Sequence, residues 1–181
     1  MARWLHLLSA ALLGVLSLAA AAQTQQVQQT QQTQQVRLAS AQAQAQDTLQ
    51  RINTYRASGA TCGLKRFAPA APLAWNRLLE QAAHKHAKDM AARRTMSHTG
   101  GDGSSMSERV AREAYAWASL GENVSAGYKS VPDALAGWMR SPGHCANMMS
   151  PAFREVGVAA ASAHGDSYGW YRAMVLGSQA R

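Results

Sequence analysis

The sequence WMRSPGHCANMMSP, residues 138–151, decides how the rest of the chain is interpreted. Pro142 disfavours the α region at the residue before it, and Gly143 allows a turn, so we predict that a helix ends at this Ser-Pro-Gly break. His144 and Cys145 follow at once. The pattern predicts a turn that presents an imidazole and a sulfur. Catalysis, metal binding and a covalent link are the three roles open to it.

Residues 1–22 have the pattern of a secretory signal peptide. Arg3 precedes an apolar run over residues 5–18, and three alanines at residues 20–22 fit an A-x-A cleavage site before Gln23. The apolar run is short for a membrane span and lacks a stop-transfer flank, so we predict no transmembrane segment in the mature chain. We therefore expect a secreted or periplasmic protein.

Cys62 and Cys145 are the two cysteines of the chain. In an oxidising compartment they allow one intrachain disulfide, and linking residues 83 apart stabilises a fold by roughly 4 kcal/mol on the chain-entropy model. The alternative is a Cys145 nucleophile beside His144. The disulfide is favoured, because adjacent side chains seldom face each other and an exported thiol tends to oxidise.

The net charge is +8 among 181 residues. In an exported protein this charge favours anionic partners such as an acidic lipid or a cell-wall component, although a solvated basic surface has the same composition. We expect no nucleic-acid binding, because the chain has no long Lys/Arg run and no basic stripe interleaved with aromatic residues.

Composition divides the mature chain in two. Residues 23–46 are rich in Gln and poor in bulky apolar residues, which predicts a disordered spacer or a weak helix. A folded domain is predicted over residues 47–178, and its length suits a single core.

Helices dominate the first part of this domain and strands the last part. We predict four helices: a short one capped by Asp47 and stopped by Gly59, one over residues 76–94 capped by Asn76, one over residues 107–117 with an Arg109–Glu113 pair, and one beginning at Ser130. Two strands joined as a hairpin are predicted over residues 155–160 and 168–176. This order indicates an α+β fold.

Three polar side chains stand out in or beside glycine-containing turns: His98, Glu122 and His144. Two imidazoles and a carboxylate are the ligand set of a water-open zinc site. Their spacing alone does not bring them together. His84 and His86 point in directions roughly 200° apart on a helix and are not expected to share a metal.

Several motifs in this order resemble the CAP superfamily, which includes cysteine-rich secretory proteins, antigen 5 and plant pathogenesis-related-1 proteins. They are Ser97-His98, Asp102-Gly103-Ser104, Gly121-Glu122-Asn123-Val124, Gly127-Tyr128, Trp138-Met139-x-Ser-Pro-Gly-His144-x-x-Asn147 and Phe153-x-x-Val156-Gly157-Val158. The resemblance covers about residues 47–177 and is closest to the bacterial secreted, SCP-like branch.

The resemblance implies a three-layer α-β-α sandwich with a central cavity, lined by two histidines and acidic residues that can bind a divalent cation such as Zn²⁺. His98, Glu122 and His144 match family positions, and Asp102 is a candidate for a second carboxylate that relatives have where this chain reads Ser141-Pro142. The Cys62–Cys145 pairing also fits close bacterial relatives.

Three functions are open at this point. The favoured one is a secreted binding module whose cavity takes a metal, a small hydrophobic ligand, an anionic lipid or a cell-wall component. The second is a metal-assisted or His/Glu-dependent hydrolase with Glu122 as general base. In the third, the histidines and Glu122 are structural groups that satisfy loop hydrogen bonds.

Overall fold

The computed structural model describes residues 3–180, with side chains from residue 23 onward, so the side chains of the predicted signal peptide lie outside the described residues. The chain divides into two compact units, and the boundary in the sequence falls between Gln44 and Ala45. Helix α1 (Arg3–Ser58) contributes to both of them. The remaining elements belong to the second unit.

The Gln-rich segment is helical along its whole length. Of the two states that its composition allows, the structure therefore has the helix, and its side chains from residue 23 to 44 are exposed. Asp47 lies inside α1, where its carboxylate accepts a hydrogen bond from Arg51 at 2.8 Å. The prediction that Asp47 caps this helix is therefore wrong, because the helix begins far upstream. In the described part of the chain, no helix is both long and apolar enough to cross a membrane.

The core of the second unit is a four-stranded sheet. Its strands are β3 (Ala74–Trp75), β5 (Glu155–Ser162), β6 (Trp170–Gln179) and β4 (Trp117–Ala126). The short β3 pairs in parallel with β5, while β5 and β4 both pair antiparallel with β6. The predicted hairpin of the last two strands is confirmed, and both strands run longer than expected.

Helices cover both faces of the sheet, as alternate residues of β6 demonstrate. Ala173 and Val175 pack in a core with α2 (Arg77–Arg93) and α3 (Met106–Arg112). Met174 and Leu176 pack in a second core with the end of α1 and with α4 (Val131–Arg140) and α5 (Pro142–Met149). The three-layer α-β-α sandwich is therefore confirmed.

Two predicted helix starts are confirmed by side-chain caps. Asn76 accepts hydrogen bonds from the amides of Leu78 and Leu79 at the start of α2. Ser130 caps α4 by accepting a hydrogen bond from the Asp133 amide. At the other end of the first helix, Gly59 has φ +69°, so α1 ends at Ser58 as predicted.

Three local predictions are wrong. The helix expected over residues 107–117 ends at Arg112, and Trp117 begins β4, so Glu122 lies within a strand and not in a turn. His144 and Cys145 lie on the helix α5, where Pro142 occupies the first turn. Proline is well tolerated there, since its missing N–H needs no partner. The break at Ser141 is real, but a second helix follows it directly.

A disulfide connects two distant parts of this unit. The strands β1 (Ala60–Cys62) and β2 (Lys65–Phe67) form a separate hairpin, and Cys62 at its end is bonded to Cys145 of α5. The predicted pairing is therefore confirmed. Both cysteines are buried, and no free cysteine is found among the described residues.

Candidate functional site

Glu122 is the centre of the candidate site. It lies on β4 opposite Val175 of β6, and its side chain is 3% exposed. Its Oε1 accepts a hydrogen bond from Nδ1 of His98 at 2.8 Å, and its Oε2 accepts one from Arg109 at 2.7 Å. Both carboxylate oxygens therefore have partners, as a buried charge requires.

Arg109 neutralises this carboxylate from α3. The helix is positioned by a capping box, in which Ser105 and Glu108 each bind the backbone of the other. A second nitrogen of Arg109 donates to the Ser104 carbonyl at 2.8 Å. The predicted Arg109–Glu113 pair does not form, since Arg109 faces inward to Glu122. The partner of Glu113 is instead Lys85 of α2, at 2.6 Å. The sequence reasoning did not identify Arg109 as a site residue.

His86 is a second group that the sequence reasoning did not assign to the site. Its ring on α2 is buried, its Nε2 lies 2.8 Å from the Ser97 carbonyl oxygen and 3.9 Å from Oε1 of Glu122. Burial lowers the pKa of His86, an effect that the charge of Glu122 partly opposes. A neutral ring that donates Nε2–H to Ser97 fits both facts. The residue thereby holds the segment that carries His98.

His98 is the exposed member of the group. Its side chain is 60% exposed, although Nδ1 faces the buried Glu122 carboxylate. Because Nδ1–H donates to the carboxylate, Nε2 of the neutral His98 ring carries the lone pair. The preceding Ser97 is fixed as well, since its hydroxyl accepts a hydrogen bond from the Thr99 amide at 3.0 Å.

His144 lies on α5, which packs on the other face of the sheet from α2 and α3. The carbonyl of His144 accepts a hydrogen bond from the Asn123 side chain at 3.0 Å, and Asn147 donates to the Glu122 carbonyl at 3.1 Å. These bonds fasten α5 to β4. Burial, and then the positive charge of a protonated His98, lower the pKa of His144. The two imidazoles are therefore within electrostatic range of each other.

Asp102 has other partners. One of its oxygens accepts from Arg112 at 2.6 Å, and the other from the Ser104 amide at 2.9 Å. Hydrogen bonds from Ser104 and Arg112 hold the pKa of Asp102 well below its usual range. The side chain is 53% exposed, so Asp102 shapes the loop before α3 and has no contact with the His98–Glu122 pair that the structure records.

A pocket of about 280 Å³ lies between α2 and α3. Its lining includes His86 and Arg109, which also approach Glu122, together with Asp102. Most of the other lining side chains are charged: Lys85, Asp89, Arg112 and Glu113.

Among the described residues, no three or more His, Cys, Asp or Glu side chains are arranged to hold a metal ion. His98 is hydrogen-bonded to a carboxylate whose oxygens are both engaged, and His144 lies within electrostatic range of His98.

The order of these residues matches a known family. Residues 49–176, well over half of the chain, match the profile of the cysteine-rich secretory protein family, CAP. The chain belongs to the CAP family. The matched range contains His98, Glu122, His144 and both cysteines of the disulfide.

Solved structures share this fold. An extracellular protein containing an SCP domain from Bacillus anthracis is 27% identical, with a TM-score of 0.52 over 60% of this chain and 35% of that one. An outer surface protein from Borrelia burgdorferi has a TM-score of 0.55 over 61% of this chain and 80% of that one. It is 17% identical, so it is evidence for the CAP fold alone.

A curated relative matches part of the domain. An uncharacterized membrane protein of Bacillus subtilis is 27% identical over 88 residues, which are 49% of this chain and 25% of the relative. The CAP chain thus spans about a quarter of the length of that relative.

Proposed function

We propose that this CAP domain is an extracytoplasmic binding module in which His98 and His144 bind a divalent cation such as zinc. The observation that carries the proposal is the 2.8 Å hydrogen bond between Nδ1 of His98 and Glu122. A metal-binding histidine is commonly oriented by a carboxylate at its other nitrogen, which fixes the tautomer and makes the ligand more basic. Here Nε2 of the exposed His98 ring is the nitrogen left for the metal.

The second imidazole is suited to the same role. A metal binds the neutral form of histidine, and the lowered pKa of His144 favours that form at neutral pH. Its helix is held to β4 through Asn123 and Asn147, so His144 is positioned by the strand that also carries Glu122.

The donor set fits an exchangeable, water-open site. Glu122 is 3% exposed and its oxygens are bonded to His98 and Arg109, so it would orient His98 and leave coordination to the two imidazoles. Water or a ligand would complete the coordination shell, as in zinc sites with open positions. A cation bound there would supply a Lewis acid for an oxygen-containing ligand.

Titration calorimetry with zinc tests this proposal on the chain from Gln23 onward. We expect about one zinc per chain near neutral pH, and loss of binding in both His98→Ala and His144→Ala. His84→Ala is the matched control, because His84 is an exposed histidine of the neighbouring helix α2. Unchanged stoichiometry and affinity in both site variants would exclude this site.

The same hydrogen bond favours a second candidate function, a His/Glu-dependent hydrolase. A carboxylate at Nδ1 leaves Nε2 free to accept a proton, which is the arrangement of a general base. The base would then be His98, oriented by Glu122, since the buried carboxylate has no free oxygen. Hydrolysis of an ester or amide panel that disappears in His98→Ala but persists in His84→Ala would support this function over the binding module.

We further propose that the protein works outside the cytoplasm. The disulfide between Cys62 and Cys145 supports this location, because such bonds persist in oxidising compartments. Fractionation of cells that express the full chain tests the location, and the protein is expected in the medium or periplasm without residues 1–22. A cytoplasmic protein with free thiols would contradict it.

A further inference from the structure

The tip of the β1–β2 hairpin exposes an unusual combination of side chains. Leu64 is fully exposed, at 107% of its reference area, at the second position of the two-residue loop between Cys62 and Lys65. The loop begins with Gly63 at φ +62°, which fits a tight hairpin turn. Leu64 is therefore held outward by a paired hairpin, and its side chain has no neighbour to bury it.

Positive charge flanks this apolar tip. Lys65 and Arg66 directly follow Leu64, and both side chains are exposed. Neither forms an ion pair with an acidic residue in the described part of the chain. The ammonium group of Lys65 lies 4.8 Å from the centre of the Phe67 ring, a cation–π contact that restricts its position along the hairpin.

The surface next to the hairpin, around Pro142, is also basic. Gly63 packs closely against Pro142, since a Cβ on Gly63 would lie 3.1 Å from the proline ring. Arg140, two residues before Pro142, is the last residue of α4, and its side chain is exposed. The chain has no Asp or Glu over residues 48–79 or 134–154, the two segments that meet here. The surface formed by Leu64, Lys65, Arg66, Arg140 and Pro142 is named the basic hairpin tip below.

The tip is held rigidly. The Cys62–Cys145 disulfide ties the hairpin to α5, and Cys145 is buried. Three residue pairs of the ladder, from Ala60–Phe67 to Cys62–Lys65, fix the register. Binding therefore has no need to order this loop, which lowers the entropic cost of an interaction.

The structure assigns the basic hairpin tip to docking on an anionic lipid bilayer. Leu64 would enter the interface between headgroups and acyl chains, while the basic residues around it contact the acidic headgroups. A soluble polyanion offers partners for the charges alone and none for Leu64, so the exposed leucine favours a bilayer. This inference is independent of the proposed metal site, because none of its residues is His98, Glu122 or His144.

Vesicle co-sedimentation tests the assignment on the chain from Gln23 onward. We expect binding to vesicles of phosphatidylglycerol and phosphatidylcholine and none to phosphatidylcholine alone. Lys65→Ser/Arg66→Ser should weaken the partition by about 25-fold, from about fivefold per basic residue. Leu64→Ser should weaken it by about tenfold with the charge unchanged.

Matched controls separate the tip from general charge and hydrophobicity. Lys88→Ser/Lys129→Ser removes two exposed lysines elsewhere, and Met96→Ser removes another exposed apolar side chain, which is 52% exposed. Both controls should bind nearly as the parent does. The assignment is overturned if the controls weaken binding as much as the tip variants do, or if phosphatidylcholine vesicles bind equally.

A comparison with heparin tests whether the tip binds a bilayer or any polyanion. Heparin is added as a soluble polyanion, and affinity for it should not depend on Leu64. If Leu64→Ser leaves vesicle binding unchanged while Lys65→Ser/Arg66→Ser abolishes it, adsorption is purely electrostatic and the bilayer assignment fails. Zinc binding should be equal in all tip variants. The test of the basic hairpin tip is therefore independent of the test of the metal site.

Discussion

Arg109 and Glu122 form a buried ion pair at 2.7 Å, with side chains 9% and 3% exposed. The pair joins α3 to the sheet directly beneath His98, because the other oxygen of the same carboxylate holds the imidazole. A carboxylate with one fixed cation and one fixed imidazole cannot turn without breaking both bonds. The orientation of the exposed histidine is thus determined by an arginine that it does not touch.

Removing the arginine should therefore destabilise the fold and release His98. Arg109→Met leaves the carboxylate of Glu122 buried without its cation, and we expect a loss of about 3–5 kcal/mol in the free energy of unfolding. Urea denaturation followed by circular dichroism measures it. Arg112→Met is the control, because the Arg112–Asp102 pair is exposed and should contribute little. Equal stability of the two variants would contradict the structural role of Arg109.

Stability should decline as the pH falls below about 6.5, and His86 is one cause. Burial lowers the pKa of His86 in the folded state below the model-peptide value of 6.5. Above that value neither state is protonated. Below it the unfolded chain takes up a proton that the folded chain does not, so stability is lost at up to about 1.4 kcal/mol per pH unit until the folded pKa is reached.

Urea unfolding at a series of pH values between about 7.5 and 5 measures this slope, in a range above most carboxylate titrations. His144 contributes in the same direction, since its pKa is lowered as well. His86→Gln should flatten the slope by removing one titrating group. A slope that is identical in the parent and in His86→Gln would show that His86 has no part in it.

Local signals predicted much of this fold. The Asn76 cap located the start of α2, and two strand-like runs joined by a short connection located the final hairpin. The confirmed disulfide followed from two cysteines and an export signal. Each of these features depends on residues near in sequence or on the composition of the whole chain.

The errors and omissions have non-local causes. Gly121 favours a turn at Glu122, yet β6 pairs with this segment and makes it a strand. His86 and Arg109 lie on different helices, and only the packing of α2 and α3 on the sheet brings both near one carboxylate. The helical spacing predicts an Arg109–Glu113 pair, but the fold turns Arg109 inward to Glu122 and places Lys85 of α2 beside Glu113.

Loss of the disulfide should destabilise the domain without removing its secondary structure. Cys62 and Cys145 are 83 residues apart, so opening the link increases the entropy of the unfolded chain by an amount worth about 4 kcal/mol. Cys62→Ser/Cys145→Ser compared with the oxidised parent in urea measures the difference. Reducing agent should lower the stability of the parent and leave that of the double variant unchanged. A parent that is insensitive to reductant would contradict the contribution of the bond.

Gly157 of β5 packs directly against the backbone of α2, and it should tolerate no side chain. A Cβ at this position would lie 2.0 Å from the Glu80 backbone nitrogen and 2.4 Å from the Leu79 carbonyl carbon. Backbone atoms in a packed helix cannot move aside, so Gly157→Ala must push α2 away from β5 or distort the strand. We expect a loss of at least about 3 kcal/mol in the free energy of unfolding, or no folded protein.

Gly143→Ala is the matched control for that substitution. A Cβ on Gly143 meets no atom within 4 Å, and the residue lies in α5, where alanine is the better helix former. Its stability should be equal to that of the parent or higher by up to about 1 kcal/mol. Thermal unfolding of the two variants side by side measures the contrast. Only displacement of α2 makes room for the methyl group of Gly157→Ala. Equal stability of Gly157→Ala and Gly143→Ala would therefore contradict the close packing of α2 on β5.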